Sequence, residues 1–224
     1  MKKTLIYLSL VGIMVGTVGV TCAQVQLAVG LKGGLNFASL NTNSSIKSNY
    51  GNRTGYHGGA YVMFKFTKVA IQPEIIFSRQ GQTFTFNSKD YNSNYDYVNI
   101  PIMVKFYLVG GLNLQAGPQF GFLASSKGAI INNFNSASSS QTVSTGQDLK
   151  NFMKSSDVSI GVGFGWDLPL GLNVGARYNI GLSDINKYTG NQAPPNQVSS
   201  LGTSQAKNQV IQVSVGYRLF KIGS

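Results

Sequence analysis

Cysteine is almost missing: Cys22 is the only one in 224 residues. An exported chain with so little sulfur cannot be stapled by disulfides and must hold together by backbone pairing and packing. Histidine is equally scarce, with His57 alone. One Cys and one His exclude a thiolate or multi-histidine metal centre, and no cofactor-binding motif is present, so no metal or cofactor is expected. Charge is sparse too, at 11% of residues against about 25% in ordinary soluble domains. Acidic residues number 7 against 18 Lys and Arg, giving a net charge of +11. The basic residues are scattered singly and form no run or helix face, which argues against nucleic acid as a partner. Apart from Leu5–Val20 there is no long apolar run, so nothing in the remainder could cross a membrane as a helix.

The first residues have a form of their own. Met1-Lys2-Lys3 is a positive start, Leu5–Val20 is apolar, and Thr21-Cys22-Ala23 offers small residues for cleavage before Gln24. Residues 1–23 are therefore expected to be a removed signal peptide, with 24–224 a single domain. The apolar stretch is short and glycine-rich for a retained anchor. Gly19 stands three before Cys22, where a lipoprotein signal would carry an aliphatic residue.

What the rest of the chain does contain is alternation. In Ser159–Leu182, Ile160, Val162, Phe164, Trp166 and Leu168 alternate with Gly161, Gly163, Gly165 and Asp167. After Pro169–Gly171, Leu172, Val174, Ala176, Tyr178 and Ile180 alternate with Asn173, Gly175, Arg177 and Asn179. The same period of two recurs from Leu27, Tyr56, Val69, Val98, Leu112 and Val210, giving eight strands of about 10 to 13 residues. Three connectors are tight (near Thr67, Gly110 and Pro169), and four are long and polar (Ser39–Thr54, Arg79–Asn94, Ser126–Ser156 and Asp184–Lys207). Within the third, Asn132–Gly146 is so rich in Ser, Asn and Thr that an external mobile loop is expected.

A soluble sandwich or lipocalin-like barrel would also alternate, with its apolar comb inward and a charged comb facing water. Here the polar comb is mostly Gly, Asn and Gln, and the strands are long enough to cross a bilayer. The expectation is an all-β fold: an eight-stranded antiparallel up-and-down transmembrane barrel with short periplasmic turns and four long extracellular loops. Large side chains face lipid, and small ones line a narrow interior that side chains can fill. Glycine at every second position then makes room for neighbouring polar chains. Pairing about Leu170 sets Arg177 opposite Gly163 and Asn173 opposite Asp167.

The inward charges form the candidate site: Lys32, Lys65, Glu74, Lys105, Arg177 and Arg218. Glu74 is the one acidic residue in mid-strand on that face and is expected to pair with at least one of these cations. Two readings follow, a salt-bridged plug or a gate that weakly prefers anions. His57, with Ser78 expected across the hairpin, admits a membrane-embedded hydrolase as a further alternative, although the spacing is generic and no catalytic residue is assigned. Phe106, Trp166, Tyr178 and Tyr217 are outward aromatics suited to the interfacial girdles of a barrel.

The motifs "GLKGGLNFASL" (Gly30–Leu40), "YVNIPIMVKFYL" (Tyr97–Leu108), "GLNLQAGPQFGFLAS" (Gly111–Ser125), "GLNVGARYNIGLSDI" (Gly171–Ile185) and "VSVGYRLF" (Val213–Phe220) stand in an order that resembles the porin-family, PorT-like outer-membrane β-barrels of Bacteroidetes. The resemblance implies the outer membrane of a Gram-negative bacterium, contact with its lipid, and handling by the barrel-assembly machinery through a terminal strand ending near Phe220. It brings no catalytic motif. It implies either a porin-like barrel or an accessory component of a protein secretion complex, with secretion partners in the second case. A monomer is expected.

Overall fold

The computed structural model describes residues 25–42, 50–86, 89–133, 141–150, 153–185, 197–199 and 206–223. The expected signal peptide lies outside them. Among the described residues ten strands form: β1 (Val25–Thr42), β2 (Tyr50–Phe66), β3 (Val69–Phe86), β4 (Lys89–Tyr107), β5 (Leu112–Asn133), β6 (Gln141–Asp148), β7 (Ser156–Asp167), β8 (Leu172–Gly181), β9 (Gln197–Ser199) and β10 (Ala206–Ile222). Eight of them close a ring in the order β1-β2-β3-β4-β5-β7-β8-β10, every pairing antiparallel, with β10 returning to β1. The short β6 and β9 are additions that pair with the far end of β5.

The wall is inside out relative to a soluble protein. Phe164, Trp166 and Val213 are exposed on its outer face, 59%, 46% and 47% respectively, and so are Phe37, Ile75 and Leu114. The buried inward set is largely polar, with Asn36, His57, Gln72, Glu74, Asn99, Asn113 and Arg177 beside a few apolar residues such as Met63 and Met103. Only one environment rewards that arrangement, an apolar solvent outside and a satisfied polar network within.

Tight turns join the strands at one end. Gly110 and Gly111 have φ of 63° and 86° between β4 and β5, and a single-turn 3-10 segment, Pro169–Gly171, joins β7 to β8. Its middle residue, Leu170, takes φ 64°, a left-handed conformation in which glycine would be cheaper.

At the opposite end the strands outrun the expectation of 10 to 13 residues. β3, β4 and β5 have 18, 19 and 22 residues, whereas β7 and β8 have 12 and 10. Arg79–Asn94, expected to be a loop, is almost wholly paired hairpin, out to Phe86 opposite Lys89. Ser126–Ser156 likewise contains the end of β5 and all of β6, paired out to Asn133 opposite Gln141. The polar composition that reads as loop is here the composition of strands that have left the membrane, where a ladder survives without a continuous apolar comb. The part of Asn132–Gly146 between the two strands lies outside the described residues.

The register also explains the glycines. Gly163 stands opposite Arg177 and Asp167 opposite Asn173, as the alternation about Leu170 demands. A Cβ on Gly163 would run into the Ala176 carbonyl oxygen and lie 2.8 Å from Arg177 Cα, which is backbone and cannot swing aside. Gly163→Ala is therefore expected to cost about 1–3 kcal/mol as an overpacking change. Gly33→Ala, whose Cβ would meet nothing nearer than the His57 carbonyl oxygen at 3.5 Å, should fall within about 0.5 kcal/mol of wild type. Urea unfolding of the two variants in phospholipid vesicles checks the contrast.

Candidate functional site

The candidate site is the filled interior. Inward residues of a barrel stack in layers drawn from alternate strands, and three such layers are visible here.

The middle layer is an ionic belt. Arg177 on β8 donates from Nη2 to Glu74 Oε1 at 2.8 Å and from Nη1 to Oε2 at 3.2 Å. β3 and β8 stand four places apart in the ring of eight, so this pair spans the lumen from wall to wall. Lys32 on β1 reaches Glu74 Oε2 at 3.2 Å, and Gln72 Nε2 donates to Oε1 at 2.8 Å. From β5, Gln115 Oε1 accepts from Arg177 Nη2 at 3.0 Å. Strands β1, β3, β5 and β8 thus each contribute, and they are every second strand of the ring. The Glu74 side chain is 0% exposed and that of Arg177 5%. A carboxylate that deep is tolerable because it is paired in bidentate fashion and its remaining lone pairs are occupied.

Toward the turns lies a second layer, drawn from the other strands together with Asn173 at the start of β8. Tyr107 OH donates to Asp167 Oδ2 at 2.6 Å, and Lys105 Nζ is 3.7 Å from Asp167 Oδ1. Lys65 Nζ sits 3.8 Å from the centroid of the Tyr107 ring, in cation–π geometry. Asn173 Nδ2 donates to Tyr61 OH at 3.0 Å, and Arg218 shares a void of about 10 Å³ with Tyr61, Lys105 and Asp167. The six charged residues named from the sequence therefore divide. Lys32, Glu74 and Arg177 come together in the belt, while Lys65, Lys105 and Arg218 belong to the layer around Asp167. β2 and β4 do flank β3, yet their lysines serve a different carboxylate.

The third layer, toward the long hairpins, centres on Asn36. Its Nδ2 donates to Ser78 Oγ at 2.9 Å and to the Arg79 carbonyl at 3.0 Å; its Oδ1 lies 2.8 Å from His57 Nδ1 and accepts from Gln212 Nε2 at 3.1 Å. His57 and Ser78 are register partners, as expected from the hairpin. Their side chains nevertheless turn to Asn36 rather than to each other, and both residues are buried at 4% and 0% exposure. That geometry gives neither a nucleophile–base pair nor access for a substrate.

Above this layer the sequence reading missed a plug. Leu149, Met153 and Ile185, from the segments that follow β6 and β8, are packed against the inward-facing Tyr95 and Tyr97, with Leu123 beside them. All three are buried to 2% exposure or less. Backbone bonds hold them there: Leu149 N–H donates to the Ser126 carbonyl at 3.0 Å, and Lys154 N–H to that of Ile185 at 2.9 Å. The signal was faint, isolated apolar residues in otherwise polar connectors.

Of the outward aromatics, Phe106, Trp166 and Tyr217 lie near the tight turns, and Trp166 Nε1 donates to the Gly110 carbonyl at 2.9 Å. Tyr178 is the exception, standing beside Arg177 and so level with the ionic belt rather than at that rim.

The family model described as "Outer membrane protein beta-barrel domain" matches residues 22–187. No curated protein matches the chain. Among solved structures the chain is similar to Neisserial surface protein A, with 9% identity over 85% of this chain and 97% of that one, at a TM-score of 0.47. It is similar to Ail, the attachment invasion locus protein of Yersinia pestis, with 12% identity over 85% and 97%, at 0.43. The outer membrane protein OprG from Pseudomonas aeruginosa shares 9% identity over 90% and 97%, at 0.42.

Proposed function

The chain belongs to the outer membrane protein beta-barrel domain family and is located in the outer membrane, and from that premise we propose that it is a sealed barrel of the porin-like type, working through the hairpins it presents outside the cell. The observation that carries this reading is the belt. Glu74 and Arg177 bridge opposite walls, Lys32 and Gln115 hold them from the two walls between, and the carboxylate has no exposed surface. A solute on that axis would have to break a bidentate, charge-assisted pair to pass. The apolar plug of Leu149, Met153 and Ile185 adds a second barrier in series.

A tilted strand needs about 9–11 residues to cross the hydrocarbon. The 18, 19 and 22 residues of β3, β4 and β5 therefore carry paired hairpins well beyond it, on the side opposite the periplasmic turns. Those hairpins are the part of the molecule a partner could reach. The same feature favours the second reading, an accessory component of a secretion or assembly complex akin to the PorT-like barrels, in which the hairpins or the outer wall dock a partner.

Purified barrel in planar bilayers tests the primary reading. It is expected to give no steady conductance in molar potassium chloride, while Glu74→Ala/Arg177→Ala should give brief, small openings limited by the remaining plug. Large steady steps from the wild-type protein would overturn it. Stable co-purification of a secretion component would move the weight to the second.

A further inference from the structure

The mouth of the barrel at the tight-turn end gathers positive charge without the acid to match it. Lys65 on β2, and Arg218 and Lys221 on β10, flank β1, where their register partners are Gln26, Gly30 and Ala28. Ala28 is buried at 1% exposure, and a Cβ on Gly30 would strike the Tyr61 ring, so this face of β1 is the lumen side. The three cations share it.

Arg218 and Lys221 are three residues apart, a spacing that sets two side chains on opposite faces of a regular strand. A β-bulge changes that. Gly30 pairs with Arg218 and Val29 with Phe220, which leaves Leu219 as the extra residue. Leu219 and Phe220 both face outward, 47% and 69% exposed, and Lys221 is returned to the side of Arg218. Bulges at barrel rims re-aim side chains, and this one adds a like charge to the mouth.

No described carboxylate neutralises the set. Lys65 lies within electrostatic reach of Arg218 and Lys221, yet none of the three forms an ion pair with a described acid. Asp167, the one described acid beside them, already accepts from Tyr107 and faces Lys105. Ala28, Tyr61, Met63 and Tyr107 form a buried cluster that floors the recess. Low-dielectric walls focus the field of charges set against them.

We propose that this recess binds an anionic phosphate group, with the Arg218 guanidinium on two of its oxygens and Lys65 and Lys221 beside it. The planar fork of arginine matches phosphate geometry, and lysine serves as a point charge. Inorganic phosphate and the head group of an anionic phospholipid offer the same chemistry. The rim is open to both sources, since Lys221 is exposed at its lip and Phe220 and Ile222 stand on its outer side. A blind recess binds without conducting, so the proposal goes beyond the sealed-barrel reading and does not depend on it.

The test uses full-length barrel refolded in neutral detergent at pH 7 and constant ionic strength, with thermal unfolding followed by circular dichroism. One arm titrates sodium phosphate against sodium chloride. The other adds phosphatidylglycerol or phosphatidylcholine, whose own ammonium offsets its phosphate. The midpoint is expected to rise by several degrees in at least one arm, with equal increments per decade of ligand past saturation. A rise in the first arm assigns a soluble phosphate, and a rise with phosphatidylglycerol alone assigns the head group. Arg218→Gln/Lys221→Gln should fold, since neither residue holds an ion pair, and should lose the increment in both arms. Lys127→Gln, which removes an exposed cation at the far end of β5, should keep it. No rise in either arm would overturn the proposal, as would an increment that survives in the double variant.

Discussion

Glu74→Ala should cost the barrel about 3–5 kcal/mol, the penalty of stripping the partner from buried charge. The reason is arithmetic as much as geometry. Lys32 and Arg177 share one carboxylate, so the belt carries two positive charges against one negative. Removing Glu74 leaves both cations facing each other in a tunnel sheathed by lipid, with Gln72 and Gln115 as their remaining neighbours. Arg177→Ala should be nearly as damaging, since it deletes the bidentate partner and its bond to Gln115. Lys32→Met is different: it removes the surplus charge, keeps the aliphatic stem, and leaves a neutral Glu74–Arg177 pair. It should change stability by less than about 1 kcal/mol in either direction. Glu74→Gln combined with Arg177→Met should cost less than the sum of the separate changes, because the two residues are in direct contact. Guanidinium unfolding in phospholipid vesicles, followed by the fluorescence of Trp166, the only tryptophan, measures the series. A Lys32→Met barrel less stable than Glu74→Ala would show that the belt is organised around the lysine and that this account of it is wrong.

The alternation of Ile160 to Trp166 against Gly161 to Gly165 was enough to place both faces of the wall, because a period of two ties every second side chain to one side. Tight turns then set register locally, which is why Gly163 opposite Arg177 and His57 opposite Ser78 are legible in the sequence. What a hairpin cannot convey is contact across the lumen. Glu74 meets Arg177 only because the ring closes with β3 and β8 on opposite walls and a stagger that levels those two residues. No pairing between neighbouring strands reports that stagger, so the choice among five cations stayed open in the sequence. The hairpin ends were misjudged for another reason. In Arg79–Asn94 the ladder continues with its apolar alternation reduced to Phe84 and Phe86 amid Gln, Asn and Ser, and composition alone reads such a stretch as loop. Leu149, Met153 and Ile185 were invisible for the opposite reason, being apolar residues without period, whose burial depends on chain paths the connectors take into the mouth.

The orientation of the wall meets its most direct trial at Phe164. This residue is 59% exposed, pairs with Leu114 on one side and Ala176 on the other, and lies one register step from the belt residue Arg177. If hydrocarbon surrounds it, Phe164→Arg must bring a guanidinium to the depth of the membrane, at a cost of about 2–4 kcal/mol. Leu170→Arg supplies the comparison. That side chain is 92% exposed at the tip of a turn, its backbone already left-handed in the wild type, so the substitution adds charge without adding strain. Near the interface the penalty should fall to about 0–1 kcal/mol. Both substitutions put the same group on an exposed outward position, so the surrounding solvent decides the difference between them. Water around the whole wall would make both nearly neutral. A Phe164→Arg barrel as stable as Leu170→Arg in vesicle unfolding would therefore turn the molecule outside in, with the greasy face wet and the belt no longer shielded by lipid. A gap of about 2 kcal/mol or more between them fixes the hydrocarbon at the level of Arg177, which is the condition under which a buried Glu74 needs its partner.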